Sequence, residues 1–527
     1  MIVPLTPLDF LERARRLFGP LEAVVETDGY TASRRFSYAQ FAERAHRLAH
    51  ALRGPLECET GDRVAYLAPN TPELLEAYFG VVLAGCVLVP LNIRLSAAEV
   101  QRLVDDCEPR VLVVHPSLAG IAATVTGPRH LDIGPGYEAL LAGQPPPPFE
   151  PPPVDENAIC EIFYTSGTTG RPRGAMLSHR ALYTHAVDSA LTLSIDHRDV
   201  QLHTIPLFHV NGWGTPHYIT AVGARHVLCE RFDPGAVLRC VETEGVTRMS
   251  IVPAMALSIL DHPDLTQRDV SSLRQVTIGG APPPLGLIAA LEESLGCEVV
   301  GGYGLTEAAP QLTKALTLRS HDDAQPDEQR RRKATTGLPM VGVDLRVLDD
   351  DDREVAWDAI SIGEICVRSN HVMAGYWNDE EATAEALRGG WLRTGDLATV
   401  DAEGYVMIVD RRKDVIVSGG ENIASIEVEA ALSAHPSVLE ASVVAMQDDR
   451  WGEVPRAFVV LRPGSEASEA DLIEAVRSRL ARFKTPRVVE FVDELPRNST
   501  GKVLKADLRD RPLAQPDRAS THPTIAP

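Results

Sequence analysis

Lysine is nearly missing from this chain: six residues in 527, none before Lys314. Arginine carries most of the positive charge, and an excess of carboxylates leaves a formal net charge of -22. That sign argues against nucleic acid, whose phosphate backbone attracts basic surfaces, and against anionic membrane surfaces. Solubility is the plain reading of the excess. No uncharged apolar run reaches 18 residues, so no membrane span is expected. Residues 1–17 carry Asp9, Glu12, Arg13, Arg15 and Arg16 without an apolar core and small-residue cleavage site, so a secretory signal is not expected. The eight cysteines (Cys58, Cys86, Cys107, Cys160, Cys229, Cys240, Cys297, Cys366) form no C-x-x-C pair. Scattered thiols disfavour a zinc site and fit reduced cysteines in a cytoplasmic protein.

What is present is an alternating α/β pattern longer than one ordinary core. Ser37 is placed to cap a helix whose apolar side includes Phe41, Ala45, Leu48, Ala49 and Leu52. A helix-like run at Pro72–Ala84 and a short strand at Val87–Val89 follow. Prolines 145–148 and 151–153 read as a surface connector. Three strands then run towards turn residues: Met249–Val252, Gln275–Ile278 into Gly279-Gly280, and Glu298–Val300 into Gly301-Gly302. Such strands suggest a largely parallel sheet with ligands beyond its carboxyl edge. Arg319–Lys333 reads as a loop or exposed helix, and Asp349–Asp352 as a hairpin turn. Beyond Asp410-Arg411-Arg412-Lys413 a compact α/β unit is expected. It has strands at Ala441–Ala445 and Arg456–Leu461 and a helix over Ser468–Arg482 capped through Asp471. The expected division is a large domain over 1–412, a small one over 413–511, and a disordered tail over 512–527.

The densest chemistry lies after the strand Ile159–Tyr164, in Thr165-Ser166-Gly167-Thr168-Thr169-Gly170-Arg171-Pro172-Arg173-Gly174. Glycines let a backbone wrap an anion with successive N–H groups, and hydroxyls add donors. A nucleoside triphosphate site is the reading, although the Walker spacing is absent. Further along stand Gly279-Gly280-Ala281-Pro282 and Gly302-Tyr303-Gly304-Leu305-Thr306-Glu307, then Thr394-Gly395-Asp396 and Arg411. Ser418-Gly419-Gly420-Glu421-Asn422 and Pro496-Arg497-Asn498-Ser499-Thr500-Gly501-Lys502 close the series. Taken singly, each has a bland reading: tight turns at Gly279-Gly280 and Asp396, a solvated helix start at Thr306-Glu307, a surface loop at Lys502.

In this order the motifs resemble those of the adenylate-forming superfamily, in particular its acyl-CoA synthetases and acyl-activating enzymes. The resemblance spans about Phe36 to Lys505. It implies a large N-terminal domain of mostly parallel sheets with flanking helices and a distorted barrel, plus a small mobile α+β C-terminal domain. It further implies an acid–CoA ligase using ATP, Mg²⁺ and CoA. Residues 165–170 and Arg173, which stands where the family has lysine, would bind the ATP phosphates. Gly280, Ala281 and Pro282 would wall the adenine pocket, with Gly302 and Gly304 flanking Tyr303 as it stacks the base. Thr306 would meet the α-phosphate, Glu307 the metal, Asp396 the ribose hydroxyls and Arg411 ribose and phosphate. Lys413 matches the hinge, and Ser418, Gly419, Gly420 and Glu421 match the CoA tunnel. Lys502 would neutralise the carboxylate and α-phosphate as they approach.

Pro206-Leu207-Phe208-His209-Val210-Asn211-Gly212-Trp213 resembles the acid-pocket motif for aliphatic acids. It holds no aspartate for an amino-acid ammonium. Phe208, His209, Val210, Asn211, Trp213, Gly279, Gly302 and Gln311 are the expected pocket residues. His209 either orients the carboxylate or bonds backbone, and Trp213 is either a tunnel gate or a core aromatic. A medium-chain, branched or cyclic aliphatic acid is the expected substrate. An acyl carrier protein as alternative acceptor and a second copy of the chain remain open as partners, and a catalytically silent nucleotide-binding protein is the remaining alternative, against which Glu307, Asp396, Arg411 and Lys502 speak.

Overall fold

The computed structural model describes residues 2–28, 32–165, 172–281, 283–419, 421–448, 450–497 and 503–512. The chain divides into two compact units: residues 1–394 with 399–408, and residues 395–398 with 409–527.

The first unit is built on two large sheets. One has nine strands in the order Leu338–Pro339, Gln311–Lys314, Glu298–Gly304, Gln275–Ile278, Arg248–Ile251, Val200–His203, Arg225–Cys229, Glu22–Thr27 and Ala32–Ser37. Its middle is parallel, and both margins are antiparallel. Strands of a covered parallel sheet bury both faces, which explains runs such as Arg248–Ile251 that are buried throughout. Val25, Leu202, Val227, Met249, Ile251, Val276 and Val299 join Val237, Val241, Ile259, Ile288 and Leu291 from the flanking helices in one core. The second sheet has seven strands: Gly375–Tyr376, Arg173–Ser178, Ile159–Thr165, Val87–Pro90, Arg63–Leu67, Val111–Val114 and Arg129–Asp132. A four-stranded sheet runs Val343–Leu348, Gly363–Ser369, Leu392–Val400, Val406–Arg411, and the chain passes from one unit to the other within its last two strands.

Local sequence chemistry accounts for the helix ends. Ser37 and Gln40 form a reciprocal capping box on Tyr38–Arg53, and Thr71 caps Pro72–Leu83 with proline in its first turn. In the second unit, Glu421–Ile423, Ile416–Ser418, Gly452–Leu461 and Val438–Asp448 form one sheet, with Val488–Phe491 beside Gly452–Leu461. Ile416, Val443, Ala457, Val459, Leu472 and Val476 lie in its core.

Two expectations are corrected. The helix capped by Ser468 and Asp471 ends at Arg477, not Arg482; residues 482–484 form a separate single turn. The strand expected to stop at Val300 continues through the glycines to Gly304, paired with Gln311–Lys314. Glycine is usually weak inside a strand, but here missing side chains admit the neighbouring strand: a Cβ on Gly302 would sit 2.9 Å from the Thr313 carbonyl oxygen. Arg319–Lys333 resolves into a short turn and the helix Pro326–Lys333. The expected turn at Asp349–Asp352 is present, closed by the Asp349 N–H donating to the Arg353 carbonyl.

Candidate active site

Thr165 ends one strand and Arg173 begins the next, facing it in register; the Thr165 hydroxyl donates to the Arg173 carbonyl at 3.3 Å. Ser166, Gly167, Thr168, Thr169 and Gly170, between them, lie outside the described residues, as do Pro282, Gly420 and Lys502. The Arg173 guanidinium reaches Asp379 (3.4 Å) and lies 5.4 Å from the Tyr376 ring centre. Tyr376 pairs with Ala175 on the adjoining strand, and its hydroxyl donates to Glu307 Oε1 at 2.8 Å. The structure thus links Arg173, from the phosphate-loop strand, to the expected metal ligand Glu307 through Tyr376. Sequence reasoning missed both Tyr376 and Asp379. Nothing in Gly375-Tyr376-Trp377 marked the tyrosine, because its role comes from strand pairing across some 200 residues.

Thr306 is buried at the start of a single helical turn, Thr306–Ala308, and Glu307 is half-buried beside it. Among the described residues no three His, Cys, Asp or Glu side chains converge on one point. One carboxylate braced by a phenol suits magnesium, which keeps most of its coordination for water and phosphate oxygens. Tyr303 is half-buried opposite Thr313, on the strand face away from Gly302.

The expected acid-pocket residues meet at two contacts, both on Trp213, and Gly302 makes a third with a residue outside the set. Gly279 lies against the Trp213 indole: a Cβ there would come within 2.8 Å of the ring. Gln311 donates through Nε2 to the Trp213 carbonyl at 2.7 Å, while its buried Oε1 has no partner among the described residues. Gly302 lies against Lys314, whose Nζ would be 3.1 Å from a Cβ on that glycine. Val210, Asn211 and Trp213 open the helix Val210–Val222. Val210 (φ 39°) and Trp213 (φ 70°) hold left-handed backbone angles, costing about 1–3 kcal/mol each. Gly280 is also left-handed at φ 83°, while Ala281 is exposed and Gly304 stands in the strand. Phe208 lines a cleft of about 390 Å³ with Asn70, Arg94, Arg231 and Phe232. Burial, and secondarily the charge of Arg94, push the His209 imidazole down to about 4, so it is neutral at pH 7.

Lys314 carries no mark in any of the sequence motifs. Its side chain is 2 % exposed, and desolvation pushes its amine down to about 7. No acceptor or carboxylate among the described residues bonds it. By contrast, Lys333, Lys484 and Lys505 each hold a glutamate within 2.8 Å. One signal was available: the chain's first lysine is the one charged residue between Glu307 and Arg319.

In the second unit, Asp396 is buried and accepts from Arg411 Nε at 3.2 Å, after Gly395 turns the strand at φ 72°. Lys413 is exposed, with its amine lowered mainly by partial desolvation. Ser418 and Glu421 pair across a hairpin, and Gly419 packs on Trp451 and donates its N–H to the Trp451 carbonyl.

Comparison with known proteins places this arrangement in its class. Residues 11–377 match the AMP-binding enzyme family and residues 427–502 the AMP-binding enzyme C-terminal domain. The chain belongs to this family and, within the adenylate-forming superfamily, to the acyl-CoA synthetases. It is 39% identical over 521 residues to a long-chain-fatty-acid–CoA ligase of Thermus thermophilus, covering 95% of each chain. It is 41% identical over 476 residues to a feruloyl-CoA synthase of an Amycolatopsis species, covering 90% of this chain and 94% of the relative. The crystal structure of an anthranilate CoA ligase in complex with anthranoyl-AMP superposes with a TM-score of 0.86 at 27% identity, covering 97% of each chain. The protein is an acid–CoA ligase that draws on ATP, with Mg²⁺ as its partner, and on CoA. Among the described residues no helix is long and apolar enough to cross a membrane.

Proposed function

We propose that the enzyme activates a medium-chain, branched or cyclic aliphatic acid. The acid carboxylate attacks the α-phosphorus of ATP, forming acyl-AMP and releasing pyrophosphate; the CoA thiolate then displaces AMP to give the thioester. The observation that supports activation through ATP is the link from Arg173 through Tyr376 to Glu307, which joins a cation and the carboxylate proposed for the metal through one phenol ring next to the phosphate-loop strand. Magnesium at Glu307 would offset charge on the phosphate oxygens.

The roles follow the motifs. Residues 165–170 and Arg173 hold phosphates, Gly280, Ala281 and Pro282 line the adenine, and Gly302 and Gly304 free the Tyr303 ring to stack it. Thr306 meets the α-phosphate, and Asp396 and Arg411 hold the ribose. Their mutual ion pair supports the last assignment, because it presents the carboxylate and guanidinium together. Lys413 is the hinge between domains 1–412 and 413–511. Ser418, Gly419, Gly420 and Glu421 line the route for CoA. Phe208, His209, Val210, Asn211, Trp213, Gly279, Gly302 and Gln311 shape the acid pocket, where a neutral His209 orients by hydrogen bonding rather than charge. Eight unpaired, buried cysteines support a cytoplasmic setting.

Lys502 supplies the cation between the two anions of the first half-reaction. Lys502→Ala is expected to lower acid-dependent pyrophosphate release by at least about 100-fold. Thioester formation from supplied acyl-AMP should change less than about threefold. Equal losses in both assays would remove Lys502 from that role. A wild-type enzyme releasing no pyrophosphate with any aliphatic, aryl or terpenoid acid would overturn the substrate reading itself.

A further inference from the structure

Gly302 and Lys314 face one another across an antiparallel pair, so their side-chain positions share one face of the sheet. The register slips between Tyr303 and Gly304, so that Gly304 opposes Gln311 and Lys314 and Gln311 both fall on the Gly302 side. The lysine stem therefore crosses the empty side of Gly302, where a Cβ would meet both Cδ (3.2 Å) and Nζ (3.1 Å).

An ammonium buried in this way is costly unless something completes it. The groups around it do not. His185 is neutral, its imidazole lowered mainly by burial, then by His371 and His217, and least by Lys314 itself. The ring already accepts from the Gln311 N–H. Gln311 commits its amide nitrogen to the Trp213 carbonyl. Leucine or methionine would fill the same volume at no electrostatic cost. The lysine is thus a donor awaiting an acceptor on the wall that the preceding reading gives to the acid.

We propose that Lys314 makes the enzyme selective for acids carrying a second carboxylate, which Nζ binds inside the pocket while the first carboxylate reacts. The proposal rests on Gly302 lining the acid pocket. A carboxylate is favoured over a neutral oxygen because only an anion restores the full charge of the buried amine. A hydroxyl would instead answer the partnerless Oε1 of Gln311 as well as Nζ. The ω-hydroxy acid therefore separates charge from simple hydrogen bonding.

The test is acid-dependent pyrophosphate release by the full-length enzyme with three matched series from five to ten carbons: straight-chain monoacids, their ω-hydroxy counterparts and the α,ω-diacids. At one or more lengths the wild-type diacid should exceed both partners in kcat/KM by at least 30-fold. Lys314→Met should bring the diacid-to-monoacid ratio to one or below, with Lys314→Gln as a second variant should methionine not fold. A wild-type ratio below one at every length overturns the proposal without any variant. A preference for the hydroxy acid overturns the anionic assignment, and a ratio unaltered in the variants removes Lys314. Monoacid turnover without diacid preference leaves the ligase reading intact, whereas silence with every acid counts against both.

Discussion

At the scale of single residues, the feature that most constrains the chemistry is the contact between Tyr376 and Glu307. If Glu307 holds magnesium, as proposed, its carboxylate must keep one orientation while the phosphates arrive. The phenol supplies that, donating at 2.8 Å from a ring fixed by strand pairing and faced by Arg173. A hydrogen bond to a charged acceptor contributes about 1.5–3 kcal/mol. Tyr376→Phe removes it with no change in shape. The expected result is a fall in adenylation kcat/KM of about tenfold, equivalent to about 1.4 kcal/mol, with a rise in the Mg²⁺ concentration for half-maximal pyrophosphate release. A variant with unchanged magnesium dependence would show that the phenol only supports the fold. Lys314 belongs at this scale too. Its sequence setting signals that it is unusual, but only its place against Gly302 says what it faces.

At the scale of elements, the proposed acid pocket lies where the strand Gln275–Ile278 ends and the helix Val210–Val222 begins. Trp213 cannot relax freely: its backbone is left-handed, its carbonyl is held by Gln311, and its indole lies on Gly279. A methyl group on Gly279, 2.8 Å from the ring, must push the indole aside. Gly279→Ala should therefore raise KM for bulky or long acids by tenfold or more, while acids of two to four carbons change little. A uniform loss over an acid panel would mean that Gly279 does not shape the pocket. Such junctions mark the boundary of what the sequence made legible. Helix starts at Ser37 and Ser468 were readable because capping is local, contained in four residues. The strand over Gln275–Ile278 was readable from its apolar run and glycine stop. The continuation of Glu298–Gly304 was not, since its partner strand, not its composition, makes it a strand. The Tyr376–Glu307 contact was hidden for the same reason, being a product of pairing between distant segments.

At the scale of the whole molecule, buried histidines give the larger unit a particular response to acid. Burial lowers His179 and His209 to about 4 and His203 to about 3, and holds His185 and His226 well below the usual range. His203 and His226 hydrogen-bond at 3.0 Å on adjacent strands, each with a threonine on its other nitrogen. Neutral in the folded state, these groups take up protons on unfolding once pH drops below about 6.5. The unfolded state then binds more protons, and stability falls as pH falls, by about 1.4 kcal/mol per pH unit for each net proton. Three carboxyls oppose this: Asp188, raised to about 6, Glu76, raised to about 7, and Asp9, also raised, all mainly by burial, favour the folded state as pH falls. Burial lowers His50 and His371 as well, so seven histidines stand against three carboxyls and dominate. All ten belong to the unit containing residues 1–394. The transition of that unit should therefore move to lower temperature and lower urea between pH 7 and pH 5.5. The transition of the unit containing residues 409–527 should shift less, because burial raises its Glu429 carboxyl, which favours the folded state as pH falls. Domain-resolved unfolding, followed by hydrogen exchange at both pH values, reads the two separately. His226→Gln should reduce the acid sensitivity of the larger unit by about one proton. Equal shifts in both units, or a larger unit that becomes more stable on acidification, would contradict the assignment of these buried imidazoles as neutral.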